Sequence, residues 1–129
     1  MSPTGRPLRG AFTALVTPFT VDGTVDEAAF RDFVTWQVAE GIDGLVPCGT
    51  TGESPTLSTA ERDFIIGTAV EIGHARGLPV IAGTGTNDTA KTIAATRRAA
   101  ELGADAALVV TPYYNKPDQR MLDDELCPA

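Results

Sequence analysis

The chain has 129 residues, 43% of them hydrophobic, and a formal net charge of −7, a balance that fits one globular domain and excludes a disordered composition. Seventeen acidic against ten basic residues leave no strong basic excess for a phosphate backbone, so nucleic acid is not an expected partner. No run reaches the roughly 18 apolar residues of a membrane span, and residues 1–10 lack the apolar region of a secretory leader, so no membrane partner and a cytoplasmic location are expected.

The first expected strand covers residues 11–16. A polar loop then leads to Thr24, which with Glu27 has the spacing of a capping box for a helix reaching Glu40. Phe30, Phe33, Val34 and Val38 fall on one stripe of that helix, and Gly41 supplies a left-handed stop. A second strand, 44–48, ends in Gly49-Thr50-Thr51-Gly52-Glu53-Ser54. Ser58 and Glu61 then form another capping box for a helix reaching about Arg76, with Ile65, Thr68, Ala69 and Ile72 inward. Gly77 closes it and Pro79 forbids its continuation. The third strand is 80–82; Asn87 or Asp88 caps an alanine-rich helix running to Leu102; Gly103 stops it; and the fourth strand is 106–110.

Short, continuously apolar strands alternating with helices define an α/β protein with a parallel sheet. A doubly wound sheet and a (β/α)8 barrel both satisfy that pattern, and both place chemistry at the carboxyl ends of strands. Dinucleotide binding is not expected, because Gly83-Thr84-Gly85 follows the third strand and Asp88 stands where the last glycine of the fingerprint belongs. His74 is the only histidine, so no His-rich metal site is expected; its position near a helix end suits a structural role in the field of the macrodipole. Cys48 and Cys127 are expected to be reduced thiols.

The glycines of the Gly49-Thr50-Thr51-Gly52-Glu53 loop let successive backbone N–H groups converge into an anion-binding nest, to which Thr50 and Thr51 add hydroxyls. The Glu53 carboxylate is expected to hold the loop's shape by accepting backbone hydrogen bonds. That loop, with Val16-Thr17-Pro18-Phe19, Gly83-Thr84-Gly85 and Val110-Thr111-Pro112-Tyr113-Tyr114-Asn115-Lys116-Pro117, resembles the dihydrodipicolinate synthase family of pyruvate-dependent class I aldolases, in the family's order over residues 8–119. The resemblance implies the amino-terminal half of a TIM barrel, about four strands and three helices, with residues 1–10 as an extension, 11–119 as the partial barrel and 120–129 as a divergent tail. It also implies a lyase of lysine and diaminopimelate biosynthesis, condensing pyruvate with L-aspartate-semialdehyde through a lysine Schiff base, with no cofactor. Thr51 and Thr50 would hold the pyruvate carboxylate. Thr50 and Tyr114 would belong to a proton relay completed across the interface of a homo-oligomer.

The chain departs from that family pattern in its amines. A Schiff base needs a lysine that can be neutral at working pH, and the chain has two lysines, Lys91 and Lys116, neither at the position of the family's nucleophile. The resemblance therefore implies a chain cut before that lysine and inactive alone, with a fragment of another pyruvate aldolase, such as N-acetylneuraminate lyase, or a noncatalytic half-barrel interaction module as alternatives. Thr59, Arg62 and Lys91 stand where lysine-inhibited members place two histidines and an acid, so no lysine feedback is expected. Four strands alone would also leave the first and the last as open apolar edges.

Overall fold

The structure, a computed structural model, describes residues 5–126; Cys127 and the first four residues of the expected extension lie outside the described residues. The elements follow in the order β1 (Phe12–Ala14), α1 (Glu27–Ala39), β2 (Gly44–Val46), α2 (Thr59–His74), β3 (Ile81–Gly83), α3 (Thr89–Glu101), β4 (Ala106–Leu108) and α4 (Gln119–Leu126).

β1 pairs parallel with β2, in the register Phe12 to Gly44, and β3 pairs parallel with β4, in the register Ile81 to Ala106. A parallel bridge between Leu45 and Val80 joins the two pairs, reinforced by Leu45 N donating to Pro79 O at 3.1 Å and Gly83 N to Pro47 O at 2.9 Å. The strands therefore lie side by side in sequence order. A doubly wound sheet would reverse its order at a switch point; a sequential parallel order is that of a barrel wall. The regular strands are shorter than the apolar runs, but Leu15 N still donates to Val46 O at 3.0 Å and Thr84 N to Leu108 O at 3.1 Å.

The core lies between the sheet and its helices. Leu15, Leu45, Val80 and Ala82 meet Phe30 and Val34 of α1, Ile65, Ile66 and Ala69 of α2 and Ala99 of α3. Thr13 Oγ1 donates to Gln37 of α1 at 2.8 Å, and Thr96 of α3 donates to Thr84 at 2.8 Å, so these alternate strand positions face the helices. Side chains alternate across a strand, which puts Ala14, Val16, Leu108 and Val110 on the opposite face, the one that lines the inside of a barrel. Val16, Leu108 and Val110 are 47%, 51% and 41% exposed there.

The helix ends follow local chemistry, with one correction. Asp26, not Thr24, caps α1: its carboxylate accepts from Ala29 N at 3.0 Å. Thr24 is held back in the preceding turn, where its carbonyl accepts from Thr20 N at 2.8 Å and its hydroxyl meets that of Thr20 at 2.9 Å. Glu27 thus opens the helix instead of closing a capping box. The Ser58–Glu61 box at α2 is complete, and Asp88 is the cap of α3. In the segment expected as a tail, residues 119–126 form α4, entered through Asp118, whose carboxylate accepts from Met121 N at 2.9 Å.

Candidate active site

The loops after the four strands gather at the carboxyl edge of the sheet. The loop after β2 turns back at once: Gly52 N donates to Gly49 O at 3.1 Å, Glu53 N to Thr50 O at 3.0 Å, and a short 3-10 turn, Ser54–Thr56, carries the chain to α2. Thr17, 6% exposed, pins this turn from β1, its hydroxyl donating to Gly52 O at 2.7 Å. Gly52 has to be glycine, since a Cβ there would stand 2.9 Å from Leu15 O and 3.2 Å from Thr17 Oγ1. Arg62 of α2 pins the other side, donating to Gly83 O at 2.7 Å and Ser54 O at 3.4 Å. It thereby ties the β2 loop to the end of β3.

Thr50 and Thr51 sit at the exposed crest of this turn. Among the described residues neither their amides nor their hydroxyls take a hydrogen-bond partner within the chain, whereas the amides of Gly52, Glu53 and Ser54 do. Glu53 holds the loop by its backbone and not by its carboxylate. It is left-handed at φ 57°, and its carbonyl accepts from Thr56 N at 2.9 Å and Thr56 Oγ1 at 2.8 Å.

Among the described residues, the non-glycine residues with positive φ are Cys48 and Glu53 flanking the β2 loop, and Tyr114 and Lys116 in the β4 loop. Left-handed backbone costs roughly 1–2 kcal/mol for a residue with a Cβ, and such strain tends to gather where geometry serves a site. Tyr114 stands 92% exposed and Tyr113 42%. Asn115, next along, donates to Asn87 O at 3.1 Å and moors the β4 loop to the β3 loop. No hydrogen bond joins Tyr114 to Thr50 among the described residues, so the chain by itself does not bring together the two relay residues named from the sequence.

Cys48 lies directly before this loop and is buried, free of any disulfide. Burial pushes its thiol up to about 11, and the nearby Arg62 guanidinium only partly opposes that shift. The thiol is neutral and a poor nucleophile. Lys91 is an exposed first-turn residue of α3, 3.7 Å from Asp88, and Lys116 is exposed in the β4 loop. Both side chains lie open to solvent. Among the described residues no cluster of three histidine, cysteine, aspartate or glutamate side chains could hold a metal, and no helix is long and apolar enough to cross a membrane.

At the opposite, amino-terminal edge, sequence reasoning missed Asp105. It is 2% exposed and accepts from Val80 N at 2.9 Å, meets His74 Nε2 at 2.7 Å and pairs with Arg6 at 3.3 Å. His74 is thus held in place by a buried carboxylate as well as standing at a helix end. A charged residue just before an apolar strand was the available signal. The hydrogen bonds of Arg62 and Thr17 to the β2 loop were not foreseen either, because a side chain that donates to a distant carbonyl leaves no periodicity in sequence.

A parallel βα wall with its glycine- and threonine-rich loops at the carboxyl edge defines part of a (β/α)8 barrel enzyme fold. The sequence pattern of the Dihydrodipicolinate synthetase family matches residues 7–125, and the chain belongs to that family. It is 57% identical over 115 residues to 4-hydroxy-tetrahydrodipicolinate synthase of Mesorhizobium japonicum, covering 89% of this chain and 39% of that protein. It is 60% identical over 114 residues to the synthase of Rhodospirillum centenum, covering 88% and 38%. Among solved structures, dihydrodipicolinate synthase of Acinetobacter baumannii complexed with pyruvate matches with a TM-score of 0.88 at 42% identity, over 93% of this chain and 41% of that one. The Aquifex aeolicus synthase matches at 0.85 and 47%, over 92% and 40%. The chain therefore spans about two fifths of the length of the relatives it matches, and its fold is the amino-terminal half of their barrel.

Proposed function

We propose that this chain carries the substrate-carboxylate grip and one relay arm of a 4-hydroxy-tetrahydrodipicolinate synthase, which condenses pyruvate with L-aspartate-semialdehyde. The observation that carries this reading is the Thr50–Thr51 crest. Two successive amides and two hydroxyls are left unengaged on a turn pinned from below by Thr17 and from the side by Arg62. Donors preorganised in this way suit a small carboxylate, because none has to break an internal bond to meet it. Thr51 grips the pyruvate carboxylate, Thr50 contributes to the grip and passes a proton, and Tyr114 reaches toward a neighbouring subunit to complete the relay.

The covalent step requires a neutral amine to attack the pyruvate ketone and expel water, giving the Schiff base whose enamine form then attacks the aldehyde. Neither Lys91 nor Lys116 is suited to that role, so the amine comes from outside these 129 residues and the chain alone does not catalyse the condensation.

Two experiments test this reading. Treated with pyruvate and borohydride, the 129-residue chain is expected to gain no mass; an adduct mapped to Lys91 or Lys116 would overturn the external amine. Residues 1–118 joined to the remaining carboxyl-terminal part of the Rhodospirillum centenum synthase should trap pyruvate and condense it with the semialdehyde. In that chimera Thr51→Val should reduce kcat/KM by about 100-fold, the usual loss for one preorganised donor. A folded chimera that traps pyruvate equally well with Thr51→Val would sink the assignment.

A further inference from the structure

We infer that Arg62 is a positioning residue for the carboxylate grip, holding the Thr50–Thr51 crest through two backbone carbonyls while its own uncancelled charge selects an anion there. The inference rests on the grip proposed above and adds the source of its preference for charge. Arg62 lies on α2, whose neighbours α1 and α3 are both in this chain, as are both loops that it touches. Its two bonds meet the foot of the crest. Ser54, whose carbonyl accepts from the guanidinium at 3.4 Å, donates its own N–H to Gly49 O at 3.4 Å and so closes the turn. Gly83, whose carbonyl accepts at 2.7 Å, lies so close under the same turn that a Cβ would strike Cys48 O and stand 2.9 Å from Gly49 N.

Both of these acceptors are neutral, which sets Arg62 apart. Of the described arginines, only Arg6 and Arg62 are withdrawn from full exposure. Arg6 pairs with the Asp105 carboxylate at 3.3 Å, whereas Arg62 makes no ion pair among the described residues. The acids beside it in sequence are engaged elsewhere: Glu61 accepts from Ser58 N at 2.7 Å, and Asp63 from Arg98 Nε at 3.0 Å. A half-buried guanidinium without a counter-ion is costly to hold, and a bound carboxylate offsets that cost. The field of Arg62 reaches the crest, since it opposes the upward shift of the Cys48 thiol one residue before Gly49. On a chain with a net charge of −7, this local positive potential draws a small anion toward Thr50 and Thr51. A neutral molecule of the same shape gains nothing from it.

Nitrogen-15 NMR on the 129-residue chain reads the Thr50 and Thr51 amides directly, in titrations with pyruvate and with pyruvamide, its uncharged analogue. Both amides should respond to pyruvate, with an apparent affinity above that for pyruvamide. Arg62→Gln keeps a donor that can reach one carbonyl and drops the charge. It should cut the preference for pyruvate over pyruvamide by about tenfold, the order of effect of one charge acting over a short distance near a protein surface. Arg62→Lys keeps the charge and should retain most of the preference. A folded glutamine variant with the wild-type preference would overturn the inference. So would one that loses affinity for pyruvate and pyruvamide alike, the mark of a purely structural role. If glutamine prevents folding, the lysine variant decides alone: a folded lysine variant without the preference overturns the inference, and one that keeps it supports the charge. Wild-type amides indifferent to pyruvate would instead sink the grip itself, and the role of Arg62 with it.

Discussion

Replacing Thr17 by valine keeps nearly the same shape and deletes one donor. The hydroxyl lies buried and gives its proton to Gly52 O at 2.7 Å, and Gly52 is itself buried, so the carbonyl cannot readily turn to water instead. An orphaned buried acceptor costs about 1–3 kcal/mol, a five- to hundredfold change in the folding equilibrium at roughly 1.4 kcal/mol per decade. Urea titration followed by circular dichroism should therefore show a lower midpoint for Thr17→Val at unchanged slope, the mark of a native-state loss without a change in exposed surface. Thr17→Ser restores the donor and removes only a methyl group, so it should recover most of the difference. A valine variant within about 0.5 kcal/mol of wild type, the range of an ordinary surface change, would refute the pinning of the β2 loop by Thr17. A serine variant as damaged as the valine would refute it too.

Asp105→Asn should destabilise the chain by about 1–3 kcal/mol, the range for impairing hydrogen bonds to a buried charged group, because Asp105 serves His74, Arg6 and Val80 N together; a urea midpoint unchanged from wild type would contradict this. Cys48, with its thiol held up at about 11 against an ordinary 9, should resist a thiol reagent at pH 8 until the chain is unfolded. Because the folded state holds this proton more tightly, stability should be unaffected by it below pH 9 and fall between pH 9 and 11. Cys48→Ala should flatten that decline, and an equally steep fall in the variant would assign it to other groups.

The sequence was most legible where structure is periodic or local. Phe30 and Val34 are fully buried as the α1 stripe requires, Ser58 and Glu61 make their reciprocal cap, and Gly41, Gly77 and Gly103 all adopt positive φ at helix ends. Thr24 misled because its spacing to Glu27 satisfies a capping box while its own backbone is engaged with Thr20; Asp26 competes for the same helix start and wins by position. What periodicity cannot encode is tertiary. Arg62 has the composition of an exposed helix residue, yet it bonds two carbonyls on different loops. Cys48, Glu53, Tyr114 and Lys116 give no local sign of left-handed backbone, since glycine is the residue that advertises it.

The two parts of the candidate site differ in how far this chain determines them. The Thr50–Thr51 crest is over-determined by its own half: Thr17 from β1, Arg62 from α2 and the tight turn through Gly52 all converge on it. The shape of the crest therefore needs no other chain. The Tyr114 loop is moored through Asn115, while its phenol stands in solvent, where no hydrogen bond among the described residues fixes its position. It follows that altering Thr17 or Arg62 should perturb the chain in isolation, whereas altering Tyr114 should leave the isolated fold unchanged and register only in an assembly.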